Sequence, residues 1–428
     1  MITMHFRKAK YISVLVALAV SIGGCKLPSV VARNENRTVP QHYAGGINNN
    51  ATDVVGWRQF FSDPNLVALI DTALSKNQEL NITLQELEIA RNEVRARKGE
   101  YLPSVGVGLG AGVDKVARYT NIGAMEANTE IAPGREMPDP LTDLAIGLKA
   151  SWEVDIWRKL RNARQAAYNR YLATVEGKNF VVTQLVSEIA DSYYELLSLD
   201  NQLDVLKKNI EIQSNALRIV KLQKEAAKVT ELAVKKFEAE VLKTTSMQYM
   251  IQQQITETEN RINFLLGRFP QHIQRNASSF ISMAPVVPSS GLPSQLLTNR
   301  PDVMQAEQLL AASKLDVKVA KAQFYPGLGI RANIGYQAFN PAFIVKPESI
   351  LYNLAGDMVA PLVNRNAIKA AYMNANAKQV QAAYNYERTV LNAYVEVVNQ
   401  MSRMNNLTSS YELKSKQVDA LNQSIRIS

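Results

Sequence analysis

A chain of 428 residues is long enough for two or three domains or for one elongated one. With 46% apolar residues and ordinary glycine and proline content it is not a disordered polypeptide. The net charge of +9 points at first to an anionic partner. Lys and Arg are nevertheless interleaved with Glu along helical patterns such as KKFEAEVLK (235–243), and no basic, aromatic groove pattern accompanies them. That is a solvated helix surface, and nucleic acid is not an expected partner.

The N-terminus is a secretory signal. Arg7, Lys8 and Lys10 form a positive region, residues 11–21 an apolar one too short to span a bilayer, and Ile22-Gly23-Gly24-Cys25 follows. Cys25 is the only cysteine, so no internal disulfide can form. Its position resembles a bacterial lipobox, in which the cysteine carries a covalent lipid and becomes the first mature residue; the first aliphatic is Ile rather than the commoner Leu. The alternative is a cleaved signal whose cysteine has no role. Residues 26–55, with Asn48-Asn49-Asn50, read as a flexible or surface-wrapping linker.

Asp63-Pro64 suits a helix cap and first helical position, and Leu66, Leu69, Ile70, Ala73 and Leu74 continue at helical spacing. A second helix reaches about Lys98, and Pro103 ends it. The period then falls from 3.6 to 2. Val105, Val107, Leu109, Ala111 and Val113 alternate with small residues over 103–113, and after a polar loop Leu144, Ile146, Leu148, Ala150, Trp152 and Val154 alternate over 144–154. Strands of that length cross a bilayer when tilted. From 157 a helical pattern runs without proline to about 228, on the order of 100 Å at 1.5 Å per residue. Leu196, Leu199, Leu203, Leu206, Ile210, Leu217 and Val220 give it a coiled-coil seam. A break at 227–230 leads to a helix that Gly267 and Pro270 end near 266, closing a helical hairpin over 157–266.

The chain then repeats itself. VRARKGEYLPSVGVGLGAG (94–112) aligns without a gap with VKVAKAQFYPGLGIRANIG (317–335), pairing Pro103 with Pro326 and Lys98 with Lys321. The following strand and helix repeat at an offset of 208, with Ala167 on Ala375, Val182 on Val390 and Glu188 on Glu396. The second copy has a helix over 301–323, strands over 327–337 and 351–361, and a long helix over 364–428.

Four strands cannot close a membrane barrel, and an open edge in lipid leaves backbone groups unpaired at several kcal/mol each. Three copies supply twelve strands, an even number within the known range. The alternation expects Gly106, Gly108, Gly110, Lys149, Arg331, Asn333, Asn353 and Asp357 to line a water-filled lumen, opposite an apolar row facing lipid. The glycines keep the bore wide, or they allow close packing against a neighbouring strand or the linker.

Five stretches, GWRQFFSDPNLVALIDTALSKNQEL (56–80), QQITETENRINFLLGRFP (253–270), NRPDVMQAEQLL (299–310), AKAQFYPGLGI (320–330) and YNYERTVLNAYVEVVNQMSRM (384–404), resemble the TolC-type outer-membrane factors, within them the lipoprotein subfamily of tripartite efflux systems. The resemblance covers nearly the whole mature chain. It implies a mixed α and β membrane protein in the bacterial outer membrane, with long antiparallel periplasmic helices forming an α-barrel and four transmembrane strands per subunit completing a 12-stranded barrel in a homotrimer. The expected organisation is a signal peptide (1–24), a lipidated linker (25–56), a first repeat (57–299, with an equatorial connector at 270–299) and a second repeat (300–428). The resemblance also implies a passive duct for small molecules, fed by an inner-membrane pump through a periplasmic adaptor, or membrane fusion, protein. Ala227, Lys228, Val229 and Thr230 are the adaptor-facing candidates by position. By the 208 offset Ser428 falls on Val220, so the second turn and the returning helix are expected to be absent and the gate incomplete.

Beyond the lipid on Cys25 no cofactor is expected, and no catalytic or metal site. The three histidines, His5, His42 and His272, are scattered, there is no Gly-Lys-Ser/Thr phosphate loop or Gly-x-Ser-x-Gly elbow, and Glu238 and Glu240 sit amid lysines on a helix. Two other readings stay open: a protein-secretion duct of the type I kind, and a lipid-anchored coiled-coil adaptor or scaffold.

Overall fold

The Asp-Pro pair at 63–64 does start a helix. The Asp63 carboxylate accepts from the Asn65 N–H at 2.8 Å, and Pro64 occupies the first turn. The structure is a computed structural model describing residues 28–30, 33–44, 55–276, 280, 291–363 and 365–427. One helical turn, α1 (Trp57–Phe60), precedes the expected start. Helix α2 (Pro64–Lys76) and α3 (Gln78–Glu100) meet at Asn77, whose Oδ1 accepts from Leu80 N–H and whose Nδ2 donates to Leu265 O, both at 2.9 Å.

Past Pro103 the chain becomes β1 (Ser104–Asp114), and β4 (Leu141–Val154) returns beside it. The connection, expected as a polar loop, holds a short helix α4 (Asn121–Glu126) and a small hairpin of β2 (Glu130–Ala132) and β3 (Arg135–Glu136). Helix α5 (Lys159–Glu225) runs for 67 residues and α6 is Glu231–Leu265. After α7 (Leu296–Asn299) and α8 (Pro301–Ala322) come β5 (Gly327–Ala338), β6 (Ile350–Val359) and the 62-residue α9 (Asn366–Ile427). Strand β6 stops short of the expected 361 because Pro361 cannot join a ladder and restricts the residue before it.

The chain divides into two compact units that cut across the sequence repeats, each drawing on both copies. One comprises Ala90–Tyr171 and Gln308–Asn385 with the described part of the segment ending at Glu35; the other comprises Asn36–Ile89, Leu172–Glu307 and Tyr386–Ser428. The first holds a four-stranded antiparallel sheet in the order β1-β4-β5-β6, so the two strand pairs of the repeat join through β4 and β5. The second holds the main apolar core, in which Leu66 and Ile70 of α2 pack with Ile189, Leu196 and Leu197 of α5, Ile262 of α6 and Leu266 just past its end. Tyr193, fully buried there, donates its hydroxyl to Asp63 at 2.8 Å. The hairpin's second arm ends at Gly267, in the left-handed region at φ 64°, where a β-carbon would stand 2.5 Å from Lys76 O.

The linker does not run free in its described part. In the first unit the Arg33 guanidinium lies 3.9 Å from the Tyr384 ring, Gln379 donates to Arg33 O at 2.9 Å, and Lys314 pairs with Glu35 at 2.6 Å. In the second, Tyr43 is buried and stacks on Tyr394 with ring centroids 5.3 Å apart.

Candidate functional site

The registers decide which side chains share a face of the sheet. Directly paired residues in antiparallel strands point the same way, and neighbours along a strand point oppositely. One row across all four strands is Gly106, Lys149, Asn333 and Asn353. The row beside it toward the helices is Ser104, Ser151, Arg331 and Ala355, followed by Glu153, Gly329 and Asp357. On the other side lies Gly108, Gly147, Gly335 and Leu351, then Gly110, Ala145 and Gln337. The eight residues expected at a lumen thus occupy one face of one sheet.

The opposite face is apolar apart from Thr142 at its far end: Val107, Leu148, Ile334 and Tyr352, flanked by Val105, Ala150, Ala332 and Leu354 and by Leu109, Ile146, Tyr336 and Ile350. Leu109, Tyr352 and Leu354 are 77%, 83% and 76% exposed. A face this apolar and this exposed, on strands of 10 to 14 residues, suits hydrocarbon rather than water. At its helix-side end Trp152 Nε1 donates to Tyr101 O at 3.1 Å, and Trp157 stacks on Tyr325 at 4.8 Å while donating to Pro326 O at 2.8 Å. Amphipathic rings in that position form the aromatic belt of a membrane interface.

The glycines on the polar face divide into two kinds. Gly106 and Gly112 have open space where a side chain would stand, and Lys149 lies over Gly108. Gly147 and Gly335 face one another so closely that a β-carbon on Gly147 would come within 2.6 Å of Ile334 O and 2.9 Å of Gly335 Cα. The alternating pattern gave the face of these residues but no sign of this close approach. Arg331 and Asp357 border a hollow of about 910 Å³ that also takes in Arg97, Ser104, Ser151 and Glu153.

Directly after β4, Asp155 caps α5: its carboxylate accepts from Leu160 N–H at 3.0 Å and Arg161 N–H at 2.9 Å, with Arg161 Nε at 3.1 Å. Burial alone would raise the pKa of this carboxyl, but those donors outweigh it and hold it below the ordinary value.

At the far turn of the α5–α6 hairpin, Lys228 N–H donates to Gln223 O and Ala227 N–H to Lys224 O, both at 2.8 Å, with Ala227 at φ 55°. This is a Schellman ending with alanine where glycine is usual, and it stops α5 at Glu225, sooner than the expected 228. Ala227, Lys228 and Thr230 are exposed, Val229 partly so, and Lys224 and Glu231 form an ion pair across the turn. That pair, with the lysine's hydrogen bond as the first cause, lowers the Glu231 pKa.

Cys25 lies outside the described residues. Among those described, no group of three or more His, Cys, Asp and Glu is placed to hold a metal, and no helix is long and apolar enough to cross a membrane. The membrane-crossing element that the geometry does provide is the sheet, apolar on one face and polar on the other.

Fold and sheet therefore define a stave of an outer-membrane β-barrel carried on long helices. The chain belongs to the outer membrane efflux protein family, whose description, "Outer membrane efflux protein", matches residues 69–268 and 292–428. It is accordingly an outer-membrane protein of efflux. Among its relatives, the pyoverdine export outer membrane protein OpmQ of Pseudomonas aeruginosa is 26% identical over 92% of this chain and 81% of that one. The cation efflux system protein CusC of Escherichia coli K12 is 26% identical over 94% of this chain and 86% of its own. Crystal structures of CusC superpose with a TM-score of 0.77 at 23% identity, over 92% of this chain and 86% of that one. The open-state MtrE outer membrane channel of Neisseria gonorrhoeae gives 0.77 at 20% identity, over 94% and 87%.

Proposed function

We propose that three copies of this chain close into a passive conduit through the outer membrane, handed small molecules or ions by an inner-membrane pump through a periplasmic adaptor. The observation that carries this reading is the sheet's pair of unpaired edges. Within one chain β1 and β6 are the outermost strands, and one face of the sheet is apolar. Such edges cannot remain open in hydrocarbon. Strands β1 and β6 run in opposite directions, so β6 of one subunit meets β1 of the next with the antiparallel alternation unbroken. Three four-stranded sheets give a barrel of a size this architecture uses.

In that barrel Gly106, Gly108, Gly110, Lys149, Arg331, Asn333, Asn353 and Asp357 line the lumen, and the lipid on Cys25 tethers each subunit to the membrane. Ala227, Lys228, Val229 and Thr230 present the hairpin turn to the adaptor. No bond is made or broken in the duct; transport energy comes from the pump. The relatives are named for pyoverdine, cation and solvent efflux, which favours small cargo over protein secretion.

The test is disulfide capture between subunits. A cysteine at Val107 of β1 is paired in turn with one at Tyr352, Leu354 or Met358 of β6, and the outer-membrane fraction is oxidised. At least one pairing is expected to give covalent dimers and trimers. Monomer alone in every pairing overturns the shared barrel.

A further inference from the structure

Two helices enter the sheet from the same side, and both carry the same row of cations. In α3 the row is Arg91, Arg95 and Lys98; in α8 it is Lys314, Lys318 and Lys321. The gapless alignment of 94–112 with 317–335, extended three residues back, places these three pairs on one another. Spacings of four and three residues put each row on one helix face. Like charges at that spacing disfavour the helix; Lys98 and Lys321, in the last turns, gain from the helix dipole, which gives nothing to Arg95 and Lys318. Arg95, Lys98, Lys318 and Lys321 are exposed and have no carboxylate partner among the described residues.

The setting identifies what the rows face. From Lys314 toward the sheet, α8 and β5 present Lys318 and Lys321, then Tyr325 stacked on Trp157, then Leu328, Ile330, Ala332 and Ile334 of the apolar face. Cation, aromatic ring and hydrocarbon-facing chain succeed one another in the order of a headgroup layer, an interface and a bilayer core. The linker passes beside this row: Glu35 pairs with Lys314, and Val30, nearer the N-terminus, packs on the cluster of Ala320, Phe324 and Tyr372, nearer the sheet. The linker therefore runs along α8 and α9 toward the sheet, on the flank next to the lysine row.

We infer that Arg95, Lys98, Lys318 and Lys321 form an anionic-phospholipid docking surface on the helix side of the membrane-spanning sheet. This rests on the sheet's spanning the membrane. Tethering by one acylated residue is strengthened by a basic surface beside it, which makes the rows a second anchor for a subunit whose sheet edges are not yet paired.

The experiment reconstitutes the full chain in vesicles and reads tryptophan quenching by brominated acyl chains. Brominated phosphatidylglycerol in a phosphatidylcholine bilayer is compared with brominated phosphatidylcholine at equal mole fraction. Trp152 and Trp157, exposed at the helix-side end of the sheet, are the reporters. The anionic lipid is expected to associate about fivefold more strongly for each headgroup met by one of these cations. The preference should shrink in high salt and approach one in the Arg95→Gln/Lys98→Gln/Lys318→Gln/Lys321→Gln variant, whose sites are all exposed. Equal quenching by the two lipids, or a preference the variant retains, overturns the docking surface alone. Absence of quenching by either lipid overturns it together with the spanning sheet.

Discussion

Lys149 lies across Gly108, with its Cε 3.1 Å from the point where a β-carbon on that glycine would stand. The two residues sit on the polar face in adjacent rows, and the long lysine covers ground left bare by the glycine. A Gly108→Val change displaces a flexible side chain end rather than backbone, so the barrel is expected to form with a narrowed lumen. Gly335→Ala differs in kind. Its β-carbon would stand 2.6 Å from Gly147 Cα and closer still to Ile146 O, both main chain. Forcing those strands apart costs about 1–3 kcal/mol. Heat-modifiable oligomer on gels is the readout: near-normal yield for Gly106→Ala and Gly108→Val, and a marked loss for Gly335→Ala. Equal yields for all three would remove the special standing of the Gly147–Gly335 contact.

The Tyr193–Asp63 hydrogen bond is the second place where one atom matters. Tyr193→Phe leaves Asp63 with its Asn65 N–H bond but removes a buried partner, at a cost of about 1–3 kcal/mol. Burial, reinforced by the neighbouring Asp63 carboxylate, raises the Tyr193 pKa above the ordinary 10.0. The folded chain therefore keeps this proton at pH values where the unfolded chain has released it. Stability from this group is complete below pH 10 and falls as pH rises beyond it, by about 1.4 kcal/mol per pH unit for one proton. Denaturation midpoints in detergent, followed above pH 10, should fall less steeply in Tyr193→Phe. Parallel slopes would show that Tyr193 does not carry the proton.

Much of this architecture was legible because a sheet and a helix imprint different periods on the chain. The switch from 3.6 to 2 at Pro103 marks β1, and the offset between repeats separates the two strand pairs. Parity assigned Lys149 and Arg331 to the same face. Parity carries no information on how closely two strands approach, which is why Gly147 and Gly335 read as ordinary alternating residues. The Arg33, Glu35 and Tyr43 contacts were hidden for another reason. Their partners, Tyr384, Lys314 and Tyr394, lie hundreds of residues away, and no local pattern encodes them. The cation rows of α3 and α8 were visible one residue at a time, yet their meaning needed the sheet and the linker beside them.

Asp155 predicts a dependence on acid. It accepts from two backbone N–H groups at the start of α5, and its side chain is 2% exposed. Asp155→Asn keeps the shape but loses the charge facing two amides and a guanidinium, at a cost of about 1–2 kcal/mol. Because the folded pKa is depressed, the natural chain has this stability above the ordinary carboxylate pKa and loses it as pH falls through the lower folded value. The variant should be less stable at neutral pH and converge on the natural chain in acid. Urea titrations at both pH values decide it, and a constant gap between the chains would refute the assignment.

Among the described residues Ala227 is the one non-glycine that ends a helix in the left-handed region, and the contrast with Gly267 predicts its behaviour. At Gly267 a β-carbon would strike Lys76 O, so packing there demands glycine as well as backbone freedom. Ala227 is exposed at φ 55°, so its cost comes from its own β-carbon against its own backbone. Ala227→Gly should stabilise the turn by about 1 kcal/mol without disturbing the Lys228-to-Gln223 and Ala227-to-Lys224 hydrogen bonds. Hydrogen exchange at the Ala227 and Lys228 amides should slow about fivefold. Ala227→Val, with a branched side chain at the same φ, should speed it. If all three chains exchange alike, the left-handed conformation at Ala227 is not what limits opening of the hairpin turn. If the glycine variant slows exchange but weakens binding to the adaptor, the strain at Ala227 belongs to docking rather than to folding.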